Sequence, residues 1–493
     1  MSAAAGLAHA LPERAALHDG SRAWTASEVS AEVESLARRL HERNVRVLAT
    51  LADNTPGWAI IDLAAASCGI VHVPLPLFFT GDQVDHALRA AGIDTVLCSA
   101  PAAARWPHAP REVVQVAGQP YAQIRLTSAA VSMLTGTRKV TFTSGTTGTP
   151  KGVCLGAPAI SAVADGLVRA LAPLGIERHL CALPFAVLLE NIAGLLAPLA
   201  AGATCVALPL SQVGLNGSSK FDVARFDAAV DRVQPNSVIL LPQMLRAWVA
   251  HLAASGRRAP NSLRMVAVGG AAVGAKLIQA AHAVGLPAFE GYGLSEGASV
   301  QTLNLPGQAQ PGSAGKPLPH ARIRIAADGE VEIGGSLFLG YLGDDGAPPA
   351  WWPTGDLGAI DSDGYLHLHG RKKLVLITAF GRNVSPEWVE TALRDEPAIL
   401  QAVVFGDGEP SLGAVLWPTR AGVSNDRLQA AVDAANATLP DYARISHWTL
   451  AEAPFSAESG MATANGRPQR SAIWQANARR LQRASPRVGS SLS

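Results

Sequence analysis

Short apolar segments typical of β-strands alternate with helical segments along this chain, and no other sequence feature limits the fold as much. Val45–Leu51, Val71–Pro74 and Thr95–Cys98 are rich in β-branched and aliphatic residues, which favour strands. Between them, 56–69 has the composition of a buried helix and 82–91 the spacing of an amphipathic one. This alternation predicts an α/β fold with a largely parallel sheet.

The alternation continues in the middle of the chain. Helices are predicted over 159–172 and 225–233, and strands over 237–241 and 265–268. The last of these strands runs into the loop Gly269-Gly-Ala-Ala-Val273. In open α/β sheets, ligands bind at the carboxyl ends of the strands. This loop is therefore a candidate binding loop.

The uncharged segment Ile192–Leu210 approaches the length of a membrane-spanning helix. Glycines and prolines interrupt it, at Gly194, Pro198, Gly202 and Pro209. The interruptions favour a buried helix followed by a buried strand, so we expect no membrane span.

Composition excludes several classes of partner. Lys plus Arg is 40 and Asp plus Glu is 39, which gives a formal net charge of +1 and no reason to expect nucleic acid or strong attraction to a membrane surface. The five cysteines have no paired spacing, which predicts reduced, buried thiols and no disulfide or metal site. The first ten residues contain neither lysine nor arginine and make a poor signal peptide, so we expect a cytoplasmic protein.

The segment Thr141-Phe-Thr-Ser-Gly-Thr-Thr-Gly-Thr-Pro-Lys-Gly-Val153 carries the clearest chemical signal. Gly145 and Gly148 allow backbone N–H groups to converge on an anion, and the hydroxyl side chains add donors. Lys151 adds a positive charge. A surface turn is the simpler explanation for a segment rich in Gly, Ser and Thr, but this density of donors favours a loop that binds polyphosphate. Gly152 follows the lysine, so the segment does not match the Walker phosphate loop.

Four further segments stand out along the chain: 183–190, 290–297, 353–357 and 463–470. The second, Glu290-Gly-Tyr-Gly-Leu-Ser-Glu-Gly297, also matches the Gly-x-Ser-x-Gly motif of α/β-hydrolases. His320, His367, His369 and His447 are the downstream histidines that a hydrolase could use. That alternative leaves the 141–153 loop unexplained.

The order of these segments resembles the adenylate-forming superfamily, which includes acyl-CoA synthetases, and the resemblance covers nearly the whole chain. It implies a large N-terminal domain over 1–370, built from parallel-rich α/β subdomains and a small β subdomain. A smaller, mobile α+β C-terminal domain would follow over 371–483, and a disordered tail over 484–493. The nearest match is a fatty acyl-CoA synthetase.

The resemblance also assigns roles to individual residues. Tyr292 would stack on adenine, Ser295 would hydrogen-bond to the α-phosphate, and Glu296 would bind Mg²⁺ as a hard oxygen ligand. Asp356 would bind both ribose hydroxyls, and Arg371 would contact ribose or phosphate. The remaining nucleotide contacts would come from the phosphate loop, the adenine-side loop and the start of the second motif: Thr143, Ser144, Gly145, Thr146, Thr147, Gly148, Gly270, Ala271, Glu290 and Gly291.

Two positions depart from the family pattern. Arg467 stands where the family has the lysine that contacts the carboxylate and the α-phosphate, and arginine is longer and planar. Leu374 stands where the family has an acidic hinge residue. Thr378–Glu387 nevertheless resembles the loop that lines the entry of the thiol.

The resemblance therefore implies an AMP-forming acid–thiol ligase that uses ATP, Mg²⁺ and coenzyme A (CoA), with Lys151, Glu296 and Arg467 as catalytic residues. Val187 in the segment that gates the acyl pocket favours a medium- or long-chain fatty acid. One alternative is an acyl-AMP ligase that loads the phosphopantetheine of an acyl carrier protein. Another is a non-catalytic protein that binds nucleotide or acyl-adenylate.

Overall fold

The computed structural model describes residues 11–129, 131–143, 150–217, 220–344, 346–379, 382–463 and 466–484. The strands are β1 Ala16–His18, β2 Ala23–Thr25, β3 Val47–Leu51, β4 Val71–Pro74, β5 Thr95–Cys98, β6 Arg111–Val116, β7 Gln119–Arg125, β8 Thr137–Thr143, β9 Lys151–Gly156, β10 Arg178–Leu180, β11 Thr204–Val206, β12 Leu215–Asn216, β13 Lys220–Phe221, β14 Ser237–Leu240, β15 Met265–Val268, β16 Ala288–Leu294, β17 Ser299–Leu303, β18 Lys316–Pro317, β19 Ala321–Ile325, β20 Glu330–Gly335, β21 Gly340–Tyr341, β22 Trp352–Ile360, β23 Leu366–Arg371, β24 Leu376–Ile377, β25 Asn383–Val384, β26 Ile399–Phe405, β27 Leu412–Pro418 and β28 Ile445–Leu450.

The α-helices are α1 Ala26–Glu42, α2 Pro56–Ser67, α3 Gly81–Ala90, α4 Ala100–Ala103, α5 Ala157–Leu171, α6 Ala197–Ala200, α7 Val223–Val233, α8 Pro242–Ser255, α9 Ala275–Ala283, α10 Pro386–Arg394, α11 Asn425–Ala437 and α12 Arg470–Ala484. Strands β4, β5 and β15 have the predicted bounds, and most other predicted elements differ by one to three residues at their ends. The α/β alternation is therefore confirmed.

Two large sheets form the N-terminal domain. One has nine strands in the order β18-β17-β16-β15-β14-β10-β11-β1-β2, and the other has eight in the order β21-β9-β8-β4-β3-β5-β7-β6. Strands pair in parallel from β1 through β11, β10, β14 and β15 to β16 in the first sheet. In the second, β5, β3, β4 and β8 are parallel neighbours. This is the predicted parallel-rich architecture.

Helix α2 packs in the core cluster shared by elements of both sheets. The Thr55 hydroxyl accepts a hydrogen bond from the Trp58 N–H at 3.1 Å, and Pro56 occupies the first turn, so the helix start is well capped. Ten of its 12 residues are buried, including Trp58 with no exposed surface. Truncating a tryptophan in such a core costs about 3–5 kcal/mol.

A buried polar network joins α2 to β4, β8 and the segment after β10. The carboxylate of Asp62 pairs with His72 at 2.6 Å and with Lys139 at 2.8 Å, and it accepts from the Asn191 side chain at 2.9 Å. Burial by itself would raise the pKa of Asp62, but Lys139 and His72 hold it well below its usual range. The network is thus charge-compensated and fully hydrogen-bonded, which is what a buried carboxylate requires.

The uncharged segment 192–210 forms a buried helix and then a buried strand, as predicted, but the helix begins in an unexpected form. Glu190–Leu196 is a π-helix that continues into α6, and β11 follows. Among the described residues, one helical stretch, Ala157–Leu174, is long and apolar enough to cross a membrane by length and composition. Its inner side packs Val163 and Leu167 into the main core cluster, and core helices pass the same test.

The β subdomain is a four-stranded antiparallel sheet in the order β19-β20-β22-β23. The C-terminal domain contains the three-stranded sheet β26-β27-β28, which packs with α10, α11 and α12. Its sheet is mixed, because β26 and β27 are antiparallel whereas β27 and β28 are parallel. Ala484, where the predicted tail begins, is the last residue of α12, and 485–493 lie outside the described residues.

Candidate functional site

The carboxyl ends of β14, β15 and β16 meet at one edge of the nine-stranded sheet, as the sequence predicted for the binding loops. Gly270, directly after β15, has φ +83°, and it and Ala271 are exposed at this edge. A Cβ on Gly269 would lie 3.2 Å from the Gly291 carbonyl oxygen on β16. The two loops therefore approach each other closely, and small residues are needed there.

The predicted phosphate loop connects the antiparallel strands β8 and β9. Thr143 and Lys151 pair directly across this hairpin, so they stand opposite each other at the base of the loop. The residues between them that carry predicted phosphate contacts, Ser144, Gly145, Thr146, Thr147 and Gly148, lie outside the described residues. Strand β21 adds to the far edge of β9, with Tyr341 opposite Val153. The hairpin is thus held from both sides at its base.

Lys151, Tyr341 and Glu296 form one contiguous group. The Lys151 ammonium lies 5.1 Å from the centre of the Tyr341 ring, within cation–π range. The Tyr341 hydroxyl donates to Glu296 Oε1 at 2.7 Å. Among the described residues, no cation pairs with Glu296, so its carboxylate keeps oxygen lone pairs for a hard metal ion. These donors fit Mg²⁺, which prefers carboxylate oxygens and phosphate.

The sequence missed Tyr341, which lies outside every motif that it resembles. No local sequence pattern marks Tyr341, because its position depends on the pairing of β21 with β9, which lies more than a hundred residues earlier in the chain.

A buried carboxylate, Asp356, is held between two partners. Its Oδ2 accepts from the Tyr292 hydroxyl at 2.7 Å, and its Oδ1 pairs with Arg371 Nε at 2.7 Å. Asp356 and Arg371 are cross-strand neighbours on β22 and β23. Burial raises the pKa of Asp356, and Arg371 opposes that rise. The Thr-Gly-Asp sequence lies within a strand and not in a turn, with Gly355 at φ +75°.

Glu290 on β16 contacts the loop 269–273, the predicted adenine-side loop. Its side chain accepts a hydrogen bond from the Val273 N–H at 3.2 Å. Burial raises the pKa of Glu290 to about 7, and the nearby negative charge of Asp395, from the C-terminal domain, raises it further. Gly291, Tyr292, Ser295 and Glu296 follow on the same strand and the short 3₁₀ turn after it, all partly exposed.

The backbone after Glu296 is strained. Ala298 has φ +56° and Ser299 has φ +106°, the left-handed region that side chains other than glycine rarely adopt. Such conformations cost about 1–3 kcal/mol each and occur preferentially at functional sites. Here they reverse the chain between β16 and β17, so that Glu296 stays at the sheet edge.

Arg467 reaches the same site from the C-terminal domain. Its N–H donates to the Thr463 hydroxyl at 3.2 Å, and its carbonyl accepts from the Thr463 N–H at 2.8 Å, which closes the loop tightly. Arg467 is an exposed residue, yet the surrounding cleft lowers the pKa of its guanidinium by desolvation, and the positive charge of Arg371 adds to that. Asp356 and Glu296 lie close enough to oppose the effect. In the part of the chain that the structure describes, Arg467 forms no direct ion pair.

The junction between the domains follows Arg371. Lys372 pairs with Asp328 at 2.6 Å and with Glu330 at 2.7 Å, both in the β subdomain. The Arg371 N–H donates to Glu387 Oε2 of the C-terminal domain at 2.9 Å. Leu374 ends the 3₁₀ turn Lys372–Leu374 and is half-buried, so the predicted hinge position adjoins these anchors.

The hydrolase alternative has no support from the geometry. Among the described residues, no histidine hydrogen-bonds to Ser295. His320 contacts the Val300 carbonyl at 2.8 Å, and His367 contacts Asp361 at 2.9 Å. A nucleophilic serine needs an adjacent base.

Comparison with known proteins agrees with the site. A family described as "AMP-binding enzyme" matches residues 6–341, and one described as "AMP-binding enzyme C-terminal domain" matches residues 373–485. The chain is 33% identical over 427 residues to long-chain-fatty-acid–CoA ligase FadD15 of Mycobacterium bovis, covering 73% of this chain and 70% of that protein. It is 29% identical to a feruloyl-CoA synthase of an Amycolatopsis species, covering 82% and 84%.

Solved structures show the same fold. O-succinylbenzoate CoA synthetase from Bacillus subtilis in complex with AMP superposes with a TM-score of 0.75 at 23% identity, covering 95% of this chain and 97% of that one. Anthranilate CoA ligase AuaEII in complex with anthranoyl-AMP superposes with a TM-score of 0.78 at 21% identity, covering 97% of each chain.

Proposed function

The chain belongs to the AMP-binding enzyme family and is an acid–thiol ligase of the AMP-forming class, and from this premise we propose that it activates a fatty acid with ATP and transfers it to the thiol of CoA. One observation carries the proposal. Glu296, just after β16, and Asp356, on β22, both lie within electrostatic reach of Arg467 from the C-terminal domain. Together they would offer an oxygen ligand for Mg²⁺, an acceptor for the ribose hydroxyls and a positive charge for the α-phosphate.

In the first step, the substrate carboxylate oxygen attacks the α-phosphorus of ATP, and the bond to the pyrophosphate oxygen breaks. The phosphoryl centre is crowded with negative charge, so catalysis rests on positioning and on placed positive charges. Lys151, at the base of the predicted phosphate loop, would contact the pyrophosphate. Arg467 supplies the charge on the α-phosphate side, and its planar fork suits oxygen pairs.

Glu296 would hold Mg²⁺ at this site, where the ion offsets the charge of the phosphate oxygens. The Tyr341 hydroxyl orients the carboxylate by donating to one of its oxygens. Asp356 would accept hydrogen bonds from both ribose hydroxyls. In the second step, a thiol sulfur attacks the acyl carbonyl carbon and AMP leaves.

The choice of a medium- or long-chain fatty acid rests on two observations. The gate segment, 183–190, carries the aliphatic Val187, which is half-buried. The Val187 N–H donates to the Pro184 carbonyl at 2.9 Å and so closes a turn. The relative FadD15 of Mycobacterium bovis is named for long-chain fatty acids. Other relatives are named for indoleacetate and feruloyl substrates, so aryl acids are the competing class.

A substrate screen tests the proposal. Pyrophosphate release is measured with ATP, Mg²⁺ and a panel of fatty acids, indoleacetic acid and ferulic acid. We expect the highest kcat/KM for a fatty acid. A higher kcat/KM for an aryl acid would reject the fatty-acid assignment and keep the ligase class.

The acceptor is tested in a second assay with free CoA and with a phosphopantetheinylated carrier protein. Thioester formation with CoA supports the proposal, and turnover with the carrier alone would replace it. Nucleotide binding without pyrophosphate release from any acid would favour the non-catalytic alternative.

A further inference from the structure

A second cluster of chemically active side chains lies in the core, away from the nucleotide site. His179 and Cys181 alternate along β10 and its end, so they face the same side of the sheet. His179 pairs in register with Cys205 on the parallel neighbour β11. The π-helix Glu190–Leu196 covers this face and turns the Glu190 carboxylate towards it. All four side chains are buried, with 2% exposure at most.

The donor atoms of this cluster lie close together. The ligand atoms of His179, Cys181 and Glu190 are all within 4.8 Å of one another. His179 Nε2 stands 3.5 Å from Glu190 Oε1. The thiols of Cys181 and Cys205 both contact the Gly194 carbonyl, at 3.6 and 3.7 Å, so the two sulfurs adjoin. Nitrogen, sulfur and carboxylate donors therefore converge on one point.

Three of these donor atoms lack hydrogen-bond partners. His179 Nε2 and both carboxylate oxygens of Glu190 are buried without a hydrogen bond among the described residues. The backbone amides of Ala182 and Leu183 approach the carboxylate, but neither forms a bond of acceptable geometry. Leaving a buried polar group unpaired costs about 1–3 kcal/mol, and more for a charge. Three such atoms side by side indicate a missing partner.

The neighbouring network shows what that partner supplies. Asp62 also pairs with a histidine, but Lys139 balances its charge and every oxygen is bonded. Asn191 of that network is the next residue after Glu190 on the same π-helix. In the described part of the chain, neither lysine nor arginine pairs with Glu190. The cluster around Glu190 thus has a carboxylate and a histidine, as the Asp62 network does, but no counterpart of Lys139.

Two further features favour a metal ion as that cation. His179 Nδ1 lies 2.8 Å from the Ser237 hydroxyl, and a second hydrogen bond of this kind orients metal-binding histidines and leaves Nε2 as the ligand. A Cβ on Gly194 would lie 2.7 Å from the Glu190 carboxyl carbon and 2.9 Å from His179 Nε2. The glycine thus keeps open the space between the two donors.

We propose that His179, Cys181 and Glu190, with Cys205 as the adjacent fourth donor, form a buried structural site for a divalent cation of the zinc class. Zinc accepts this mixture of imidazole, thiolate and carboxylate in tetrahedral geometry. Its bonds of about 2.0–2.3 Å place donors about 3.5 Å apart, so side-chain shifts of about an ångström suffice. A divalent ion balances the Glu190 carboxylate and the Cys181 thiolate, and a thiolate at Cys205 would leave one net negative charge. The cysteine spacing predicted no metal site, because pairing between β10 and β11 is what gathers these donors.

The test is the metal content of the full-length protein, expressed with zinc and purified without chelator after removal of any affinity tag. We expect about one zinc ion per folded chain. Cys181→Ser and Glu190→Gln should lower the content about tenfold or more. Cys98→Ser, which changes a buried cysteine in the other sheet, is the matched control and should keep full content.

A second measurement needs no variant that must fold. Wild-type protein is refolded from denaturant with Co²⁺ or with a chelator. Cobalt should produce a thiolate-to-metal absorption band and a higher melting temperature than the chelator sample. Folded wild-type protein without bound metal, with equal melting temperatures and no such band, would overturn the site. That result would instead indicate that His179 and Glu190 share a proton and bind no metal ion.

Discussion

At the residue scale, Arg467 is the predicted catalytic residue that stands where the sequence resemblance implies a lysine. The loop from Thr463 to Arg467 is closed by two backbone contacts, so the side chain starts from a fixed point. Asp356 and Glu296 lie near its charge, and no described residue pairs with it directly. Arginine can bind two oxygens at once where lysine binds through a single ammonium. The substitution therefore keeps the charge and changes the geometry.

Replacing Arg467 tests this role. Arg467→Ala should lower the rate of pyrophosphate release about 100-fold or more, because a placed charge is lost from the transition state. Arg467→Lys should keep or raise the rate, since it restores the family residue. The exposed Arg420→Ala in the same domain is the control. A wild-type rate in Arg467→Ala would show that another group serves the α-phosphate.

Glu290 makes stability depend on pH. Its pKa rises from an ordinary value of 4.5 to about 7, first through burial and then through Asp395. The folded protein favours the neutral acid. The contribution of Glu290 to the free energy of unfolding is therefore fully present below pH 4.5 and is lost as pH rises through 7. A shift of this size corresponds to at most about 3 kcal/mol.

Glu290→Gln should remove that dependence, because the amide stays neutral and still accepts from the Val273 N–H. The difference in urea unfolding free energy between variant and wild type should grow in favour of the variant from pH 4.5 to 7 and then level off. Exposed Glu13→Gln is the control. A constant difference across this range would mean that Glu290 titrates normally in the folded protein.

The sequence indicated the motif residues of the site and missed those that support them. Glu296, Asp356 and Arg467 were predicted because each stands in a recognisable segment. Tyr341 was missed because its role comes from β21 pairing with β9, and pairing between distant segments leaves no local pattern. Buried donors such as His179 look like ordinary core residues in sequence.

At the element scale, the bounds of the strands were predicted better than the type of helix between them. β5 and β15 match their predicted bounds because a short run of β-branched residues between polar ends has few other conformations. The helix within 192–210 was expected, but its π-helical start was not. Apolar composition indicates burial without distinguishing helix types, and the buried partners of Glu190 and Asn191 lie in distant strands.

The last residues of β23, next to the C-terminal domain, offer a test at this scale. Gly370 has φ +119°, and a Cβ there would collide with the Ser385 side chain of the C-terminal domain. Gly370→Ala should therefore disfavour this domain arrangement and lower pyrophosphate release about tenfold. Gly364 has φ +85° but open space around it, so Gly364→Ala isolates backbone strain. Equal effects of the two variants would remove the steric explanation.

At the scale of the whole molecule, charged pairs hold the two domains in the arrangement that brings Arg467 to the nucleotide site. Lys276 on α9 pairs with Glu396 of the C-terminal domain at 2.6 Å. Arg246 on α8 and Asp395 attract each other across the same interface. The Lys276–Glu396 pair, whose lysine is half-exposed, contributes about 1 kcal/mol or less. Because this contribution is small, the two domains can leave this arrangement when the acyl group is transferred to the thiol.

Exchanging the charges measures this contribution. Lys276→Glu should lower the rate of pyrophosphate release about fivefold, because two carboxylates then face each other. Adding Glu396→Lys should restore most of the rate, and high salt should narrow the gap between single variant and wild type. The transfer of a pre-formed acyl-AMP to the thiol should not fall in the single variant. A double variant as slow as the single one would exclude a pairwise interaction.

The partners of Asp356 have a consequence for nucleotide selection. Both carboxylate oxygens are already engaged, one by Tyr292 and one by Arg371. Each oxygen still has a second lone pair, so ribose hydroxyls at Asp356 would bind a carboxylate whose direction Tyr292 and Arg371 have already fixed. A sugar that lacks one hydroxyl would leave one of these lone pairs unused. Discrimination between ribo- and deoxyribonucleotides would then depend on how the resting protein orients this carboxylate.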